Sequence, residues 1–283
     1  MLLFLLIPIV VVLVALFRAY GEVDDRFVEG WAQAHALRLT GENRLMVRWY
    51  LRNARVLRTW GVLAGLFLPS LIAVALGLGH SSQVPQNPAW IFVGYLVGAL
   101  YAELSLVRPV DPQRRSASLV PRELGDYLPG RLLRAQRAMG VVILAAGVAV
   151  WLVPFGEKTS FVQVDRLTCL LVALGAVAFA GGLERLQSWL VQRPQPFASP
   201  SLVAADDAIR SQSVHSLAGS GLAVLLLVFS FLSYTLAMSD VQILRWTMWG
   251  LAIGGFFLAL VACLYYGHRA WRVRRDVTSI APA

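Results

Sequence analysis

The chain has 283 residues, of which 58% are hydrophobic and only 14% charged, and its formal net charge is +9. A soluble domain carries about a quarter charged residues, so the composition excludes an ordinary water-soluble globule and points to a bilayer. Two cysteines cannot build a disulfide framework, and with one lysine, Lys158, there is no Gly-rich phosphate loop ending in lysine.

In chain order, apolar stretches run over Met1–Phe17, Trp60–Gly79, Ala89–Val107, Met139–Pro154, Leu167–Leu183, Leu217–Met238 and Trp246–Gly267. Most approach the ~20 residues that a helix needs to cross hydrocarbon at about 1.5 Å per residue. Lipid offers backbone groups no hydrogen-bonding partner, so each stretch is expected to be helical. The expected fold is therefore all-α and polytopic, with seven transmembrane helices. Met1–Phe17 has no basic flank before it and no small-x-small cleavage site ahead of Arg18. It reads as a retained anchor, not a signal peptide.

Between the first two spans, Asp24–Leu39 reads as an amphipathic helix with Phe27, Trp31, Ala34 and Leu37 near one face. Thr40 and Gly41 are suited to end it and to cap the next, Glu42–Thr59. In that second helix Leu45, Trp49 and Val56 are expected against apolar surroundings, with Arg48, Arg52 and Arg55 snorkelling to phosphates. Further on, Pro109, Pro112 and Pro121 predict an extended loop, and Pro194, Pro196 and Pro200 predict another.

The loops alternate in charge. Arg18–Arg58 holds eight Arg, Arg108–Arg137 seven, Arg185–Arg210 three and Arg269–Arg275 four, whereas the intervening connections share Lys158, Arg166 and Arg245. The positive-inside rule then makes the Arg-rich loops cytoplasmic, the N-terminus external and the C-terminus internal, in a plasma membrane. Such one-sided charge suits the anionic inner leaflet, or an acidic protein partner, better than nucleic acid.

The same arginines suggest a period. Arg52, Arg55, Arg58 and Gly61 recur 79 residues later as Arg131, Arg134, Arg137 and Gly140. A further 79 residues on stand Arg210, Ser213, Ser216 and Gly219. The chain is thus expected to comprise an anchor (1–20), three parallel hairpin units (21–110, 111–190 and 191–270) and a cytoplasmic tail (271–283).

Two segments, Leu39–Gly61 (LTGENRLMVRWYLRNARVLRTWG) and Ser201–Gly221 (SLVAADDAIRSQSVHSLAGSG), resemble a group of uncharacterised multi-pass membrane proteins of actinobacteria. The resemblance covers about a sixth of the chain. It implies source and topology, and no chemistry, since that group carries no established activity.

Among candidate groups, Glu103 stands out as an acid about one turn inside its span, a costly position without a partner. Arg58 enters the same hairpin at the same face, and Arg137 with Glu184 repeats the arrangement. In the third unit Ser216 and Ala262–Cys263 occupy the matching places, so both charges vanish together. Two structural ion pairs are therefore expected, Arg58–Glu103 and Arg137–Glu184, with a proton or substrate relay at Glu103 as the alternative, and a charge swap is expected to restore a broken Arg58–Glu103 pair. Arg48, Arg52, Arg55, Arg115, Arg131 and Arg134 form a candidate cytoplasmic patch for a partner or for lipid headgroups. Small-x3-small pairs at Gly61/Gly65, Gly94/Gly98 and Gly250/Gly254 are expected to pack helices within the chain.

No catalytic residue, cofactor site or metal site is assigned. The four His are scattered, and the Gly219-Ser220-Gly221 triplet lacks a buried base to make a nucleophile of Ser220. The expected function is a non-enzymatic accessory or permease-like component working with a partner. The alternatives are a self-contained small-solute transporter or channel and, behind it, an intramembrane enzyme.

Overall fold

The computed structural model describes residues 12–75, 89–105, 122–155, 165–193 and 199–268, and all regular structure among them is helical. Residues 12–20 are helical (α1). They are followed by α2 (Asp25–Ala34), α3 (Gly41–Ala75), α4 (Ala89–Ser105), α5 (Leu124–Tyr127) and α6 (Gly130–Leu152). Then come α7 (Arg166–Gln192), α8 (Pro200–Ala237) and α9 (Gln242–His268). Five of these, α3, α6, α7, α8 and α9, are long and apolar enough to cross a membrane, and α4 carries a shorter apolar helix over Trp90–Glu103. Most of the expected span at Met1–Phe17, the connections at 76–88 and 156–164, and the tail at 271–283 lie outside the described residues.

Large apolar side chains stand exposed on α6, α7 and α9, among them Val141, Leu152, Leu171, Ile253 and Phe257. Apolar belts of this kind are unfavourable in water and natural in hydrocarbon, so these helices mark a membrane protein.

The structure corrects the expected elements in three places. The surface helix Glu42–Thr59 and the span from Trp60 are one 35-residue helix. Polarity changes at Thr59–Trp60, but nothing there interrupts the backbone. Extending an existing helix needs no new nucleus. Pro200, expected in an extended loop, is instead the first residue of the 38-residue α8. Proline loses no hydrogen bond at that position, and the Ser199 carbonyl accepts the amides of Leu202 and Val203. Finally, α2 stops at Ala34 rather than Leu39, because the chain turns at Ala36 with φ of 54°. Thr40 then serves as the cap: its hydroxyl accepts the Asn43 amide at 3.4 Å, and its own amide donates to Asn43 Oδ1 at 2.8 Å.

The described helices fall into two compact units. The first contains α1 to α5 and the start of α8 through Val214. Its α3 and α4 approach until backbones touch. A Cβ on Gly61 would lie 2.2 Å from the Gly94 carbonyl oxygen, and one on Gly98 would lie 2.4 Å from that of Leu57. Only hydrogen fits there. Ahead of this hairpin, α2 is tied to α3 by Arg44–Glu29 at 2.6 Å and by Arg48–Asp25. Val28, Val47 and Ala205 share one small core, which brings the start of α8 against both helices. The Ser199 and Ser201 hydroxyls donate to Glu42 at 3.0 and 3.1 Å, closing that contact.

The second unit contains α6, α7 to Leu190, α8 from His215, and α9. Ile143 and Val150 of α6 pack with Ala173 and Ala176 of α7 and with Leu225 and Leu232 of α8. Asp165 starts α7, accepting the Leu167 amide at 3.0 Å and the Thr168 hydroxyl at 2.5 Å. The pair Gly250/Gly254 meets no helix among the described residues, since a Cβ on either would find nothing within 4 Å.

Candidate functional site

The first unit holds a buried polar cluster built around Glu103, two residues before the end of α4. Glu103 is 1% exposed. On α3, Tyr50 and Arg58 lie about two turns apart along one face, and both reach the carboxylate. The Tyr50 hydroxyl donates to Oε1 at 3.4 Å, and the Arg58 guanidinium lies 3.8 Å from the same oxygen. That separation is an ion pair without a direct hydrogen bond. The Arg58 guanidinium also sits 5.9 Å from the centroid of the Tyr95 ring. From α8, the Ser213 hydroxyl donates to Oε2. The carbonyl of Ile209 lies 2.7 Å from that hydroxyl, so a single proton serves two acceptors by turns.

A second knot adjoins the first. Asp206 binds Arg210 one turn along α8, with Nε and Nη2 both 2.7 Å from Oδ2. Arg193 reaches the other oxygen of Asp206 at 3.4 Å, and its Nη1 donates to the Glu103 carbonyl at 3.5 Å. Arg210 also donates to the carbonyls of Val191 and Arg193, at 3.0 and 2.6 Å. Asp207 accepts the Tyr127 hydroxyl at 2.8 Å and faces Arg122 at 4.0 Å. Buried charges survive when paired and hydrogen-bonded, and here each acid has at least one arginine.

Sequence reasoning singled out Arg58 and Glu103 but missed Tyr50, Arg193, Asp206 and the role of Ser213 and Arg210. A signal was present. Ser211, Gln212 and Ser213 follow Arg210 just ahead of a long apolar run. Polar side chains in that place are expensive on a lipid face and cheap against protein. The two segments quoted for the resemblance supply most of the site. Tyr50 and Arg58 come from one, and Asp206, Arg210 and Ser213 from the other.

Arg137 and Glu184 also form an ion pair, in the second unit, with Nε 2.9 Å from Oε2 and a second contact from Nη2 to Oε1. Their side chains are 64% and 32% exposed. The candidate patch residues differ in engagement. Arg48 is paired with Asp25. Arg55 lies 5.7 Å from the centre of the Phe27 ring and donates to the Arg18 carbonyl. Arg52 is exposed, as are Arg131 and Arg134 in the second unit, and Arg115 lies outside the described residues. At the end of α2, burial holds His35 below the usual histidine range, with Nδ1 2.9 Å from the Trp31 carbonyl.

The Gly219-Ser220-Gly221 triplet lies inside α8, where the Ser220 hydroxyl donates back to the Ser216 carbonyl at 2.8 Å. It forms no exposed turn. Among the described residues no three His, Cys, Asp or Glu side chains gather as a metal site. What the cluster can do is lock α3, α4 and the start of α8 together through charge. Compared with known proteins, the chain matches no family model, no curated protein and no solved structure.

Proposed function

We propose that the chain is a non-catalytic multi-pass component of the plasma membrane that works with a protein partner docked on its cytoplasmic face. In this reading it crosses the bilayer seven times, N-terminus outside, as an anchor followed by three parallel hairpin units. The recurrence of an Arg–Glu pair, Arg58–Glu103 and then Arg137–Glu184, supports the repeat.

The observation that carries the partner reading is the length of two helices. With 35 and 38 residues, α3 and α8 run about 52 and 57 Å at 1.5 Å per residue. Hydrocarbon spans only ~30 Å. Their polar first halves therefore continue past the membrane on the Arg-rich side. There they pack with α2 into an ordered platform, joined through Val47, Ala205 and Glu42. The charges buried at its base are spent on one another, which suits a rigid support better than a reaction centre.

Affinity isolation of the full chain from native membranes in mild detergent tests this. One co-purifying chain in fixed ratio is expected. An isolated monomer would overturn the reading.

A further inference from the structure

Leu45 and Trp49 stand 70% and 53% exposed on α3, and exposed Arg52 follows one turn along the same face. Apolar groups of this size call for a cover, and helix length decides between lipid and protein. The apolar run of α3 begins at Trp60, just after its last charged residue, Arg58. Counted back along the helix, Trp49 lies ~16 Å and Leu45 ~22 Å before Trp60. The headgroup layer adds only ~5–7 Å to each side of the hydrocarbon. Even a tilt of about 40°, the top of the usual range, leaves Trp49 about 12 Å out. With the hydrocarbon edge at Trp60, this face lies beyond the headgroup layer.

Neighbouring cations are already committed. Arg44 pairs with Glu29, Arg48 pairs with Asp25, and Arg55 lies over Phe27. Arg52 enters no ion pair among the described residues, so it remains as the open cation beside the apolar pair. With Arg58 paired to Glu103, the surrounding stretch 18–58 leaves seven Arg against five acids, Glu22, Asp24, Asp25, Glu29 and Glu42. That positive field steers an acidic segment towards it. Trp and Arg are also the residue types that most often anchor protein interfaces.

We propose that Leu45, Trp49 and Arg52 form the docking site for an acidic amphipathic helix of a partner protein. Its apolar face covers Leu45 and Trp49, and a flanking carboxylate meets Arg52. This rests on the partner reading above and names the contact.

The test uses the full chain in nanodiscs of zwitterionic phosphatidylcholine, titrated with a labelled synthetic helix bearing Leu on one face and Glu on its flanks. Saturable binding is expected, weakened about tenfold or more by Trp49→Ala and by Arg52→Glu. The same helix with Lys in place of Glu is expected not to bind. Unchanged helix content and elution volume will show that the variants fold. Equal binding of the acidic and basic helices, or indifference to both substitutions, would overturn the proposal. So would quenching of Trp49 by brominated phospholipids, read as the difference from Trp49→Phe, because lipid would then cover the face. Self-association abolished by Trp49→Ala would overturn it in favour of a second copy. A native partner that co-purifies equally with wild type and both variants removes this docking site and leaves the partner reading standing. Failure of both co-purification and helix binding removes both.

Discussion

The two Arg–Glu pairs use the same side chains at nearly the same spacing, 45 and 47 residues, yet they inhabit opposite surroundings. Arg58 and Glu103 are largely enclosed, at 16% and 1% side-chain exposure, and their 3.8 Å contact is supplemented by Tyr50 and Ser213. Arg137 and Glu184 meet in a two-point fork with much of the surface open. The more intimate contact is thus the weaker structural dependency. An exposed fork competes with solvent and headgroups for the same charges, so losing it changes little. An enclosed pair has no substitute partner, so breaking it strands a charge.

The largest difference between the pairs is expected on neutralising the acid. Glu103→Gln should cost ~3–5 kcal/mol, because Arg58 is left without a counter-charge in an enclosed site. Denaturant midpoints in mild detergent check this, and Glu184→Gln should leave the midpoint near wild type. If both variants unfold alike, burial does not separate the pairs. Charge reversal sharpens the same contrast. Arg137→Glu with Glu184→Arg should restore the exposed fork. Arg58→Glu with Glu103→Arg should recover only part of the loss, because Tyr50 and Ser213 present donors to position 103 and an arginine there cannot accept them.

Next in size are the glycines one turn beyond each arginine. Gly61→Ala puts a Cβ against backbone of α4 and should cost ~1–3 kcal/mol or more. Gly140→Ala meets only the Ala180 Cβ at 3.7 Å, an ordinary contact, and should gain ~0.5–1 kcal/mol from helix propensity. Thermal midpoints moving in the same direction would erase the distinction.

The smallest effect is a pH dependence confined to the platform. Burial lowers the pKa of His35 in the folded state below its ordinary 6.5. The unfolded chain therefore binds the proton first as pH falls. Stability is fully present above about 6.5 and declines from there down to the folded pKa. Hydrogen exchange in α2 at pH 7 and pH 5 should show this loss, and His35→Gln should flatten it.

The membrane class, most helices and both ion-pair partners were legible because they follow from local composition and from the ends of hairpins. Helix continuity was not. Around Thr59–Trp60 the side chains change from charged to apolar, but a helix is propagated by backbone hydrogen bonds that ignore polarity. Pro200 misled for a related reason, since the same ring breaks a helix inside and suits one at its start. Tyr50 and Ser213 were hidden by distance. They lie 163 residues apart and meet only once α3 and α8 are packed, a contact that no local pattern encodes. The cost of burying Glu103 predicted that partners must exist. Which hydroxyls would supply them depended on tertiary packing.

In the proposed arrangement, the unbroken passage of α3 from platform to bilayer makes it a lever. From Trp60 to Gly41 its outer arm measures ~28 Å, so ten degrees of tilt swings the tip by about 5 Å. Helices adjust their tilt to bilayer thickness at small cost. A change in lipid thickness would thus be amplified into a displacement as large as a side chain at the end of that arm.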